Sequence, residues 1–223
     1  MPHDGRLLAL QLLFAASSSP LPWCSETFSI VGFSLGGGIA MDFAASFPHL
    51  VRSVALMAPG GLIRQLPRSY VELRQAANDG KDESELRKLL ADVLGLGQEE
   101  PVAAAKEDVA ANVDAMVRWQ YEHHQGHATS FVSTLQYGPV QGQHQTWQKA
   151  CENLKHKEGK DKTVVICGDE DFVVPPDHVK EDLDGMMGSD KFCFETVKGS
   201  HGFLLDEEAC EQIVETLSRE WVL

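Results

Sequence analysis

Basic charge is scarce in this sequence: 19 Lys and Arg stand against 33 Asp and Glu, a formal net charge of −14 over 223 residues. No cluster of Lys and Arg with interleaved aromatics offsets it. Phosphate backbones and anionic membrane surfaces are repelled, so neither nucleic acid nor membrane is an expected partner. Paired cysteine motifs are missing as well. Cys24, Cys151, Cys167, Cys193 and Cys210 are odd in number, scattered and without a CxxC pair, which excludes a disulfide framework and a cysteine zinc site. A reducing, cytoplasmic compartment fits, with Cys167 and Cys193 expected as small buried apolar residues in strands. No N-x-S/T acceptor occurs. No apolar run reaches the roughly 20 residues that a bilayer core requires. The stretch Leu7–Ser18 follows Arg6 as a signal-peptide core would, but it is short, Gln11 interrupts it, and Asp4 stands where a signal is basic. A packed helix is expected there instead.

What is present is enough for one globular core, at 43% hydrophobic residues. Residues 6–16 form a candidate helix and 17–27 a turn-rich connector. Short apolar runs at 28–33, 51–58, 163–167 and 192–197 read as buried strands, each ended by a turn containing glycine. Helices are expected at 36–47 and 206–221, the latter with Ala209, Ile213, Val214 and Leu217 on its apolar face. From about 65 to 160 the composition turns polar and Ala-rich, with helical stretches at 70–95 and 101–121. The alternation predicts an α/β fold: a mostly parallel sheet with helices on both faces, residues 1–62 and 161–223 forming the core and 63–160 a helical insertion. Ligand sites in such sheets lie beyond the carboxyl ends of the strands.

Three side chains of catalytic type fall at those ends. Ser34 lies in Gly32-Phe33-Ser34-Leu35-Gly36, between a strand and a helix, where a sharp turn lifts the serine clear of the sheet. The tightness is expected to leave no room for side chains at Gly32 and Gly36, while Gly37 and Gly38 admit closer backbone approach. The Leu35 amide opens the helix and would point at a developing oxyanion. A serine needs a base, and of nine histidines only His201 directly follows an expected core strand. His3, His49 and His178 fall at surface turns, and His123, His124, His127, His144 and His156 in the insertion. An acid must orient the base. The strand at 163–167 delivers Asp169 and Asp171, and either could serve; the strand at 51–58 ends in Ala-Pro-Gly-Gly, without a carboxylate. The order Ser, Asp, His differs from the two common serine-protease orders.

The segments GFSLGGGIAMDFAASFPHLVRSVALMAPGG, ICGDEDFVVP and VKGSHGFLLDE resemble the catalytic signatures of the α/β-hydrolase superfamily. GFSLGGG together with RWQYEHHQGHATSFVSTLQYGP resembles fungal members most. The resemblance implies Ser34 as nucleophile, His201 as base and Asp171 as acid, and makes the insertion a cap over the active site. It also implies that the strands preceding the nucleophile strand, and the loop supplying a second oxyanion donor, are missing from an N-terminally truncated chain. Such a chain would leave the edge of its first strand open to pairing with a second copy.

Phe33, Trp119 and Phe172 are candidate contacts for a small-molecule substrate. Trp119, Tyr121, Phe131, Tyr137 and Trp147 suggest an apolar interior for the insertion. His123 and His127 stand at i, i+4, a spacing that can bind metal, but no third ligand follows, so no metal is expected. No cofactor is expected either. The functions consistent with these residues are hydrolysis of an ester, thioester or carbon–carbon bond in a metabolite, ligand binding by a silent relative, and acyl transfer or cyclisation in fungal secondary metabolism. Dehalogenation is disfavoured, because that branch needs Asp at the nucleophile position.

Overall fold

The computed structural model describes residues 2–96, 109–155 and 162–221. The chain divides into two compact units, Asp4–Gln65 with Pro139–Leu223, and Leu66–Gly138 with the residues up to His3.

The first unit is built on a parallel sheet of β1 (Phe28–Phe33), β2 (Val51–Met57), β3 (Thr163–Gly168) and β4 (Phe192–Val197), in that spatial order. The central strands are apolar almost throughout because both faces are covered: every residue of β3, and all of β2 except Arg52, is buried. β1 has one strand neighbour among the described residues, and Val31 on it is exposed. Helix α2 (Leu35–Ser46) packs on β1 and β2, α8 (Pro176–Met186) lies between β3 and β4 in the chain, and α9 (Glu207–Glu220) packs on β3 and β4. On α9 the buried residues are Ala209, Ile213 and Thr216, whereas Val214 is exposed. The expected apolar face is therefore rotated, because the Thr216 hydroxyl turns inward to donate to Glu195 Oε2 at 2.6 Å.

Helix α1 (Gly5–Ser18) is capped by Asp4, whose carboxylate accepts the Leu7 amide at 2.9 Å. It packs on α2 but buries only Ala9, leaving Leu10 and Phe14 exposed, so it is less packed than its composition suggests. Where the two helices meet, Gly5 lies against the buried carboxyl of Asp42. Burial first, and then the negative charge of Asp4, push that carboxyl up to about 6.

The expected insertion is shorter than 63–160. Helix α7 (His144–Lys155) belongs with the sheet, packing on α2 and burying Trp147, Ala150, Cys151 and Leu154. Among the cysteines, Cys167 is buried in β3 and pushed up to about 12, burial being the main cause. Cys193 is only half-buried, with its sulfur accepting from the exposed Arg219 guanidinium of α9 at 3.8 Å.

The second unit is helical. Arg68–Asn78 (α3) and Glu83–Val93 (α4) pack on each other and on His127–Tyr137 (α6), around buried Leu73, Leu90, Val132 and Leu135. Val109–His123 (α5) covers the described part of the stretch expected at 101–121; residues 101–108 and His156 lie outside the described residues. Trp119 and Tyr137 are exposed rather than interior, and Trp147 belongs to the sheet unit. His123 ends α5 and His127 begins α6, with Gly126 at φ +82 between them, so the i, i+4 pair does not share a helix. Among the described residues no three His, Cys, Asp or Glu side chains are grouped as a metal ion would need, and no helix is long and apolar enough to cross a membrane.

Candidate active site

Ser34 is the single residue between the last position of β1 and the first of α2, and it turns the chain at φ 50, ψ −120. Three main-chain hydrogen bonds hold it there. Its N–H donates to Met57 O at 2.9 Å, and its carbonyl accepts the Gly37 N–H at 2.9 Å and the Gly60 N–H at 2.6 Å. Gly32 is required by space: a Cβ there would stand 2.5 Å from Gly36 O. Gly36 is not, since a Cβ on it would meet nothing within 4 Å, which corrects the expectation of symmetric crowding. Gly37 and Gly38 do admit close neighbours, Pro59 against the first and the Pro139 carbonyl against the second.

The other two residues arrive from the far side of the sheet. β3 ends at Gly168, and the loop that follows turns Asp171 inward until it is 3% exposed. Its Oδ1 accepts the N–H groups of Val173 and Val174, both at 2.8 Å, and Oδ2 lies 2.7 Å from His201 Nδ1. β4 ends at Val197, and the loop behind it carries His201, whose Nε2 is 2.9 Å from Ser34 Oγ. An ionised Asp171 accepts only, so Nδ1 carries the proton and Nε2 is left free to accept from the serine hydroxyl. Leu35, as the first residue of α2, has no intrahelical acceptor for its amide.

The remaining candidates lie in different places. The Phe33 ring stacks obliquely beside His201 (5.2 Å, 32°) and meets Phe203 edge-on at 6.1 Å, so it walls the imidazole. Phe172, next to Asp171, is 75% exposed. Trp119 belongs to the helical unit, where it is 59% exposed and stacked on His123 at 5.5 Å.

Asp169 has a part that sequence reasoning missed. Its Oδ1 accepts the Gly199 N–H at 2.8 Å, tying the end of β3 to the histidine loop. The two loops touch closely enough that a side chain on Gly168 would run into the carbonyls of Gly199 and Ser200. The signal in the sequence was present, in two aspartates two residues apart at one strand end, but spacing alone does not divide the labour between them.

Serine, histidine and aspartate in one hydrogen-bonded line, at the carboxyl ends of a parallel sheet, is the arrangement that nucleophilic acyl chemistry needs. Residues 25–208 match the alpha/beta hydrolase fold family, and the chain belongs to that family. An enol-lactonase from Burkholderia xenovorans LB400 is similar in structure, with a TM-score of 0.64 at 18% identity, over 98% of this chain and 73% of that one. So is a meta-cleavage product hydrolase from Pseudomonas fluorescens IP01, with a TM-score of 0.60 at 17% identity over 99% and 73% of the two chains. In sequence, 41 residues are 49% identical to an uncharacterized protein of Mycobacterium bovis, covering 18% of this chain and only 12% of that relative's length. These relatives are bacterial; the fungal likeness rests on sequence motifs alone.

Proposed function

We propose that this chain is a serine hydrolase acting on an ester, thioester or carbon–carbon bond of a small organic metabolite. The observation that carries the proposal is the unbroken relay from Ser34 Oγ through both nitrogens of His201, at 2.9 and 2.7 Å, to a buried Asp171. On an ester, Ser34 Oγ attacks the carbonyl carbon while His201 Nε2 takes the hydroxyl proton. Asp171 stabilises the imidazolium and keeps its ring oriented. The negative oxygen of the tetrahedral adduct is met by the Leu35 amide and the positive end of α2. Collapse expels the alcohol, which takes the proton from His201. Water, deprotonated by the same histidine, then releases the acid and restores Ser34. The scheme uses no cofactor. Phe172 would offer an apolar surface to substrate beside the relay, and Phe33 would contact it from the histidine side. The lactonase and meta-cleavage hydrolase among the structural relatives support this class of bond, at an identity that carries fold rather than substrate.

The test is labelling of the purified chain by a fluorophosphonate, with hydrolysis of a p-nitrophenyl ester alongside. Label should map to Ser34. Ser34→Ala should abolish it and lower ester turnover by about 10⁴-fold or more, in line with the loss of a nucleophile in comparable relays. A folded chain that neither labels nor turns over would instead be a ligand-binding relative with a silent relay.

A further inference from the structure

The turn that follows β2, Ala58-Pro59-Gly60-Gly61, carries no reactive group, yet all of it is buried. Ala58 stands at φ 41, and among the described residues only Ser34 shares a positive φ without being glycine. The turn is anchored on the sheet by the Ala58 N–H, which donates to Ile166 O of β3 at 2.8 Å. From there Gly60 approaches the nucleophile turn: its N–H reaches Ser34 O at 2.6 Å, and a Cβ on it would stand 3.3 Å from that oxygen and 3.5 Å from Leu35 Cα. Gly61, at φ +113, is held on its other side, with its N–H on Val140 O at 2.8 Å and its carbonyl accepting the Gln143 N–H at 3.0 Å. Against Gly61 lies the indole of Trp147, fully buried, with no hydrogen-bond partner for its Nε1 among the described residues.

The Ser34 carbonyl and the Leu35 N–H are two ends of one planar peptide unit. Whatever fixes the carbonyl fixes the direction of the amide, and a donor on the carbonyl polarises the N–H at the other end. We infer that the Gly60 amide, propped from behind by Trp147 against Gly61, aims the Leu35 N–H at the oxyanion. Gly60 and Trp147 are thus positioning residues, which rests on the serine-hydrolase reading above. The strained φ of Ser34 persists because its peptide is bonded from outside the helix as well as from within.

The experiment compares Gly60→Ala, Trp147→Leu and Trp221→Phe with the wild type, by fluorophosphonate labelling rate and by kcat and KM on a p-nitrophenyl ester, each beside thermal unfolding. Trp221 is a buried tryptophan bonded to Lys162 O at 2.8 Å, at the start of β3, and serves as the control for loosened packing. Removing one oxyanion donor costs ~10²–10³ in kcat, so misdirecting it should cost about tenfold or more. Gly60→Ala and Trp147→Leu should lower kcat and labelling with KM little changed, since the interaction exists only in the transition state. Trp221→Phe should lower thermal stability and leave kcat alone. Wild-type rates in either folded variant, a loss confined to KM, or an equal loss in Trp221→Phe would each overturn the inference. If Trp147→Leu does not fold, Gly60→Ala decides, because it disturbs the same contact without emptying the core. A wild type that does not label defeats the hydrolase proposal and this one with it; a wild type that labels while the variants keep pace defeats this one alone.

Discussion

The two sides of the site are held by different means. At the ends of β1 and β2 the work is done by main chain and by missing side chains: Met57 O, the Gly37 and Gly60 amides, and the space that Gly32 leaves free. At the ends of β3 and β4 it is done by carboxylates, Asp171 on the imidazole and Asp169 on the Gly199 amide. The first side should therefore respond to added volume and be indifferent to charge; the second should respond above all to the loss of charge.

The largest expected effect lies on the carboxylate side. Asp171→Asn keeps the shape but offers the imidazole the wrong partner, and kcat near neutral pH should fall by about 10⁴-fold. Asp169→Ala removes one hydrogen bond to a partly exposed loop and should cost about 1 kcal/mol in urea unfolding, with a far smaller effect on kcat. Equal losses in the two variants would erase the division of labour between them. On the main-chain side, Gly32→Ala forces a Cβ onto Gly36 O and should cost about 1–3 kcal/mol of stability together with activity. Gly36→Ala meets open space in the first turn of α2 and should be neutral or stabilising by up to about 1 kcal/mol. Denaturant titration of both separates crowding from mere sequence pattern.

The smallest effect concerns a buried carboxyl on α2, the helix that follows Ser34. Asp42 holds its proton up to about pH 6 when folded, against 3.8 in the unfolded chain. Its contribution to stability is therefore full below about pH 4 and is lost as pH rises through about 6. Asp42→Asn stays neutral at every pH. It should flatten the slope of Tm between pH 4 and 6 and raise Tm above pH 6 by roughly 2–4 °C, equivalent to about 1 kcal/mol. If Ser34 is indifferent to charge, its labelling rate should be the same in this variant; a changed rate would tie α2's buried carboxyl to the chemistry.

Much of this was legible in the sequence where one residue type meets one local geometry. The strands announce themselves as apolar runs stopped by glycine, and Ser34 and His201 stand directly beyond two of them. The acid was legible only as a pair, because which of Asp169 and Asp171 turns inward depends on the loop's path. Gly60 was invisible as a partner of Ser34, since that contact joins two turns that meet only in the folded sheet. Trp147 is hard to place for a different reason: Trp147, Ala150, Cys151 and Leu154 form a regular buried stripe, but they follow a long polar stretch whose composition masks it. On α9, apolarity favours Val214, whereas Thr216 is buried and bonded to Glu195 of β4.

The parallel pairing of β3 with β4 runs from Thr163 opposite Phe192 to Gly168 opposite Val197, without interruption. A strand advances about 3.3 Å per residue, so a slip of two residues, the smallest that preserves which side chains face the core, would carry a strand end by roughly 6.6 Å. His201 stands 2.7 Å from Asp171 on one side and 2.9 Å from Ser34 on the other. The sheet thus acts as a ruler with a coarse scale. Its next mark falls well outside hydrogen-bond reach, so the chain has one alignment in which three residues separated by as many as 167 positions form a single hydrogen-bonded line, and none close to it.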